Sequence, residues 1–265
     1  MASTSETGLQ LFARLIPRPS LVGLDNTLFP EGPNAKDVIE ISGDPSTGKT
    51  LLFHQFIAKS ILPKEFNRVQ LGGLKSGVVL INTDHHFQML KLIAMMENHL
   101  NCVNNFSVSN IEKVIKESLD RLIIYNITDS VQLQTTFYAL QSLVSNQPEI
   151  GLVLLDSVCA FYWQDSLTSG IRKMDFYTTS LIRVLQKCLG DFKGVIMYSR
   201  PSYFQSKLAK SESSKTGLGF ANHKIVLKKI MAEDRYSYMA DVETSNGNSF
   251  KKAFTISSSG IQWVE

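Results

Sequence analysis

Eight consecutive residues, Gly43-Asp44-Pro45-Ser46-Thr47-Gly48-Lys49-Thr50, satisfy the pattern G-x-x-x-x-G-K-[ST] at every fixed position. Glycines at the two ends of such a loop let backbone N–H groups converge on phosphate oxygens, and the helix that follows adds the partial positive charge of its N-terminus. Lys49 is then in reach of the β- and γ-phosphates of a nucleotide, and the Thr50 hydroxyl is a ligand for Mg²⁺. Roughly a hundred residues later the apolar run Leu152-Val153-Leu154-Leu155 ends in Asp156. Many buried strands end in Asp, so Asp156 says little alone. After a phosphate loop it becomes the expected carboxylate of the Mg²⁺ shell, bound directly or through water. A third candidate is Asp84, in Thr83-Asp84-His85-His86-Phe87 after another apolar run.

These groups need a scaffold that brings strand ends together. Residues 38–41 read as a strand, and a helix over 49–62 is stopped by Pro63. Residues 78–81 form a continuous apolar run, the mark of a strand buried on both faces. Helical patterns follow over 87–100 and 111–119, then a strand over 122–125 and a helix that Asp129 can cap, running to about 144. The strand at 152–155 precedes an expected loop at 165–170, a helix over 174–189 and a strand over 195–198. Three alternating stretches, 224–230, 236–243 and 250–257, read as antiparallel strands. Strands and helices in alternation predict an α/β fold: a mostly parallel twisted sheet flanked by helices, with a C-terminal antiparallel β meander. Nucleotide then belongs at the carboxyl ends of the parallel strands. Residues 1–37, punctuated by Pro17, Pro19, Pro30 and Pro33, read as an N-terminal arm, and 38–265 as one core.

Composition narrows the class. The chain is 43% hydrophobic and 19% charged, which suits a folded core and argues against wholesale disorder. Three cysteines, without C-x-x-C spacing, do not make a disulfide framework or a metal site. His85 and His86 are adjacent, match no zinc spacing, and in an extended segment point to opposite sides. No apolar run reaches the roughly 20 residues of a membrane span, and the first ten residues lack the pattern of a signal peptide. A soluble intracellular protein with no membrane partner is expected. The net charge is only +3, but residues 172–252 carry 15 Lys or Arg against 7 Asp or Glu. Lysines clustered this way are either a solvated face or a footprint for phosphate backbones.

The motifs together bring a family into view. The phosphate loop, the Thr83–Phe87 segment, Leu155-Asp156-Ser157-Val158-Cys159-Ala160-Phe161-Tyr162-Trp163-Gln164-Asp165, Ile61-Leu62-Pro63-Lys64 and Gly8-Leu9-Gln10-Leu11-Phe12-Ala13-Arg14-Leu15 resemble the eukaryotic RecA-like recombinase paralogues. The resemblance covers most of residues 8–200 and fades in the basic tail. It implies a RecA-like core that binds ATP with Mg²⁺ and belongs to a recombination-mediator complex in homologous-recombination repair. It implies other recombinase paralogues as partners, single-stranded or forked DNA as a ligand, a nuclear location, and no small-molecule substrate beyond nucleotide. Shorter members of the family lack a helical N-terminal domain, and none is expected ahead of residue 38.

The resemblance also locates departures. RecA-like ATPases usually orient the attacking water with Glu, whereas Asp84 is one methylene shorter; an error of about 1 Å can cost a hundredfold in rate. Where the active recombinases have a γ-phosphate-sensing Gln after the fifth strand, this chain has Ser199-Arg200-Pro201. ATP binding with weak or absent hydrolysis is the expectation. The segment 200–220 falls where RecA-like proteins face DNA, and it offers Arg200, Tyr203, Phe204, Lys207, Lys210 and Lys215 for phosphate contact and base stacking, unless its aromatics simply pack locally. In the arm, Leu9, Phe12, Ala13 and Ile16 make an apolar stripe too short to fold alone; it packs on its own core or, the preferred reading, docks on a neighbouring paralogue. Phe161-Tyr162-Trp163 is either core or a subunit contact. Two rival functions stay open: a scaffold with a vestigial nucleotide site, and a phosphate-loop small-molecule kinase.

Overall fold

The computed structural model describes residues 8, 15–103, 107–170, 173–190, 192–202, 221–232, 235–257 and 259–264. Among them a nine-stranded sheet carries the fold, and a two-stranded hairpin of β2 (Glu65–Phe66) and β3 (Val69–Gln70) stands apart. The parallel part of the sheet comprises β1 (Val38–Gly43), β4 (Gly77–Asn82), β5 (Leu122–Asn126), β6 (Ile150–Asp156), β7 (Val195–Pro201) and β8 (His223–Ala232). The antiparallel part adds β9 (Arg235–Thr244), β10 (Ser249–Ser257) and β11 (Gly260–Trp263). The strand order is β11-β10-β9-β8-β1-β7-β6-β4-β5. The expected α/β class is therefore observed. One refinement concerns β8, which joins the meander through an antiparallel pair with β9 but pairs in parallel with β1.

The apolar runs of β4 and β6 are buried along their whole length because helices cover both faces. On one face Ile39, Ile41, Leu80, Leu154 and Met197 pack under α1 (Lys49–Ile61), α2 (Met89–Asn101) and α3 (Val108–Leu119). On the other, Val79, Ile81, Val153, Leu155 and Ile196 pack under α4 (Ser130–Asn146) and α6 (Met174–Cys188). Asp129 caps α4 as expected, its Oδ1 accepting from the Gln132 N–H at 2.7 Å. The residues expected as a loop at 165–170 instead belong mostly to α5 (Tyr162–Ser169). Its Asp165 accepts from the Tyr177 hydroxyl at 2.7 Å, tying α5 to α6. The aromatic run divides: Phe161 and Tyr162 are buried, while Trp163 is 60% exposed. No helix among the described residues is long and apolar enough to cross a membrane.

The arm needs correcting from about residue 18 onward. Leu21, Leu24, Leu28 and Phe29 are buried in the main core, because the prolines allow tight turns that lay these side chains against it. Arg18 donates from Nη1 to the Gln147 and Ile150 carbonyls, at 2.6 and 3.3 Å, and from Nη2 to Val144 O. A cation on the last carbonyls of α4 satisfies acceptors that the helix itself leaves open. The chain's last strand reaches the same segment, the Trp263 indole donating to Asp25 at 2.9 Å. Of the docking stripe, Ile16 is half-buried, and Leu9, Phe12 and Ala13 lie outside the described residues.

Arg200 is a second correction. It was expected in a DNA-facing segment, yet it is 6% exposed. Side chains alternate along β7, so Arg200 and Tyr198 share the face that α6 covers. There Arg200 pairs with Asp175 at 2.6 Å and with Glu40 at 3.8 Å, and the Tyr198 hydroxyl donates to Glu40 at 2.7 Å. Burial works against the guanidinium charge, but Glu40 and Asp175 outweigh it and hold the Arg200 pKa above its ordinary value. Burial first, then Glu40, raises that of Tyr198.

Removing Arg200 leaves Glu40 buried without its cation. Arg200→Ala is expected to lower stability by about 3–5 kcal/mol, mostly through Glu40, since Asp175 is largely rescued by solvent. Arg18→Ala exposes only half-buried carbonyls and belongs in the lower part of a range of about 1–3 kcal/mol. Urea unfolding of the two variants beside the unchanged chain checks both; equal midpoints for Arg200→Ala and the parent would refute the buried-pair account.

Candidate nucleotide-binding site

The carboxyl ends of β1, β7, β6 and β4 meet at one edge of the sheet, and the predicted residues gather there. Gly43 ends β1 where two neighbours leave no room: a Cβ would lie 2.6 Å from Thr47 Oγ1 and 2.7 Å from Leu227 O. The loop then turns through Ser46 at φ 61° and Gly48 at φ 95°, left-handed values that let it double back into α1. Thr47 Oγ1 donates to Asp44 O at 2.8 Å and fixes the loop from within. Lys49 opens α1, and its ammonium donates to the carbonyls of Gly43 and Asp44 at 2.8 and 2.9 Å, folded back onto the loop. Burial lowers the Lys49 pKa, with Asp156, Asp44 and Asp84 pulling the other way.

The candidate metal ligands are in contact. Thr50 Oγ1 donates to Asp156 Oδ2 at 2.8 Å. The other oxygen of Asp156 accepts from the Ser199 hydroxyl on β7. The carboxylate is 4% exposed, and burial raises its pKa although Ser199 and Thr50 both stabilise its charge. A hydroxyl beside a buried carboxylate is the hard-oxygen pair that Mg²⁺ takes from a protein when phosphates and waters complete its shell. Among the described residues no group of three His, Cys, Asp or Glu could hold an ion alone. The donor set therefore fits Mg²⁺ brought with a nucleotide.

Asp84 stands on the same rim. Register places Asn82 opposite Asp156. The N–H groups of Thr83 and Asp84 donate to Asp156 O, at 2.8 and 3.2 Å, and Thr83 Oγ1 donates to Ser157 O at 2.7 Å. The Asp84 side chain is exposed, and its field acts on both Lys49 and Asp156.

Three neighbours escaped the sequence reading. Ser199 points toward Asp156, on the face opposite Arg200; the alternation of β7 carried that signal. Ser202 donates to Asp44 and joins the phosphate loop to the end of β7. His54, one turn along α1 from Thr50, is 2% exposed. Its Nδ1 lies 2.7 Å from Thr50 O, and its Nε2 is 3.2 Å from the Gln88 N–H nitrogen. With Nδ1 donating to Thr50 O, Nε2 is free to accept from the Gln88 N–H; burial lowers the His54 pKa, against the bonds to the Thr50 and Gln88 carbonyls. Tyr203, Phe204, Lys207, Lys210 and Lys215 lie outside the described residues.

Comparison with known proteins bears on the fold and the family. No protein-family model matches the chain. The crystal structure of the RadB recombinase superposes with a TM-score of 0.61 over 94% of this chain and 98% of its own, at 19% identity, which establishes a shared RecA-like fold. A RAD51 homolog 3 DNA repair protein of Dictyostelium discoideum is 22% identical over 60% of this chain and 40% of its own length. An XRCC2 homolog from Arabidopsis thaliana is 24% identical over 68% of this chain and 58% of its own. The DNA repair protein XRCC2 of Mus musculus is 32% identical over 224 residues, 83% of this chain and 74% of that protein. At that identity and coverage, a chain with this fold and this phosphate loop belongs to the XRCC2 family of RecA-like DNA repair proteins.

Proposed function

We propose that this chain is an ATP-binding subunit of a recombination-mediator complex. It acts in homologous-recombination repair of DNA breaks and stalled forks, in the nucleus, together with other RecA-like paralogues, and aids recombinase assembly on single-stranded DNA. The observation that carries the nucleotide part is the Thr50–Asp156 contact of 2.8 Å behind a complete phosphate loop. Gly43, Asp44, Pro45, Ser46, Thr47 and Gly48 present the phosphate cradle, Lys49 leaves its two carbonyls to meet the phosphates, and Thr50 and Asp156 hold Mg²⁺. The ion supplies charge neutralisation to the phosphates. Hydrolysis is slow or absent, because Asp84 is short and stands exposed, and because Ser199 rather than a Gln faces the site from β7. The DNA part rests on Tyr203, Phe204, Lys207, Lys210 and Lys215, and the partner part on Leu9, Phe12, Ala13 and Ile16.

Fluorescent-ATP binding with and without Mg²⁺ tests the nucleotide part. Removing a charged hydrogen-bond partner costs about 1.5–3 kcal/mol. Lys49→Ala is therefore expected to weaken binding roughly ten- to hundredfold. Equal, Mg²⁺-independent binding by both proteins would sink the reading and leave a scaffold. Salt titration of single-stranded DNA binding tests the DNA part. Each phosphate contact contributes about 0.7 to the slope of log affinity against log salt, so reversing Lys207, Lys210 and Lys215 should flatten it by about 2. An unchanged slope removes these lysines from the DNA site.

A further inference from the structure

The turn that carries Asp84 is held at two places. At its start, Thr83 and Asp84 hang from β6 through Asp156 O and Ser157 O. His85 Nε2 adds a bond to Ile127 O at 3.0 Å. At its end, where it enters α2, the imidazole of His54 holds it, beside the packing of Phe87 on the main core. The Gln88 N–H donates to Nε2, and Phe87 stacks on the ring with centroids 4.5 Å apart and planes 18° apart. Gln88 O also lies 3.1 Å from Nε2, but it already accepts from the N–H groups of Lys91 and Leu92. The ring's opposite nitrogen grips Thr50 O, one turn into the helix that begins at the phosphate loop. Most other buried side chains of α1 are apolar, including Leu51, Leu52, Phe53, Phe56 and Ile57. A leucine or phenylalanine at 54 fills space without burying two polar nitrogens, so the imidazole is used for its two hydrogen bonds and not for its volume.

We infer that His54 is a positioning residue that sets Asp84 against the γ-phosphate side of the nucleotide site, by clamping the 83–88 turn to the backbone of Thr50. The clamp spans the two elements that supply the proposed metal-binding hydroxyl and the candidate carboxylate on the γ-phosphate side. It rests on the nucleotide reading above. It adds to that reading that the far end of the turn carrying Asp84 is tied to Thr50 by a side chain outside the nucleotide and metal ligands named above.

The test compares affinities for MgADP and for MgADP with aluminium fluoride, which mimics the transferring phosphoryl group. Their ratio reports the geometry of the γ-phosphate side and cancels any general loss of binding. His54→Phe keeps volume and stacking but loses both bonds, and the ratio should fall by about tenfold or more. His54→Gln puts an acceptor near the place of Nε2 and should recover most of the ratio. His54→Asn can replace only the bond to Thr50 O and should not. In an Asp84→Ala background, His54→Phe should change the ratio no further, because the residue acts through Asp84. Thermal unfolding of each variant confirms that it is folded. A ratio unaltered by His54→Phe, additivity with Asp84→Ala, or an unmodified chain that binds both complexes equally would each overturn the inference while leaving nucleotide binding intact. An unmodified chain that binds neither complex would overturn the nucleotide reading and this inference with it.

Discussion

Asp156 is where the sheet edge is tied together. Its side chain accepts from Thr50 on α1 and from Ser199 on β7, and its own carbonyl accepts from the two residues that follow β4. Four elements thus converge on one residue, and the distances between phosphate loop, metal ligand and candidate water-orienting carboxylate follow from it. The arrangement carries a cost. A carboxylate this buried is disfavoured in its charged form, and two hydroxyl donors only partly offset that. Lys49 is close enough to help, yet its ammonium is engaged by the carbonyls of Gly43 and Asp44. The edge is therefore short of positive charge beside Asp156, which is the place the proposed Mg²⁺ would fill.

The elements that build this edge were legible because their signals are local. The fixed spacing of the phosphate loop, the uninterrupted apolar runs of β4 and β6, and the capping position of Asp129 each follow from a few neighbouring residues. Arg200 was misread because its role depends on pairing. Glu40 sits opposite Tyr198 in the β1–β7 register, and Asp175 comes from a helix a whole crossover earlier. A basic residue beside a lysine-rich segment resembles a surface cation until the strand's alternation turns it inward. With Arg200 withdrawn, the described start of the basic segment contributes no exposed cation to DNA, and the case for DNA contact rests on Tyr203, Phe204, Lys207, Lys210 and Lys215.

The first residues were misread for a related reason. Prolines at 17, 19, 30 and 33 look like the punctuation of a detached linker, and their breaks do exclude long helices. They do not exclude packing. Leu21, Leu24 and Leu28 stand at i, i+3 and i+7, yet with Phe29 they fill the core from turns, so their spacing does not report the structure they adopt. The same limit hid β11, which is only four residues long and is recognisable mainly from its pairing with β10.

The C-terminal meander has a part in the site that its distance along the chain conceals. Leu227 of β8 stands opposite Gly43 and closes off the space where a side chain would be. Ile256 and Ile261 lie against Gly48, so that even a methyl group there would come within 3.2 Å of Ile256. Gln55 of α1 accepts from the Ile261 N–H at 3.1 Å, and Trp263 reaches back to Asp25. A phosphate loop is useful only if its N–H groups hold their aim without nucleotide, since any reordering on binding subtracts from affinity. Here the loop is backed from one side by the last strands of the chain, which are themselves latched to a segment near its beginning. That explains why the parallel sheet is extended by antiparallel strands at the side of β1. The added strands extend the sheet and pack against both glycines of the turn.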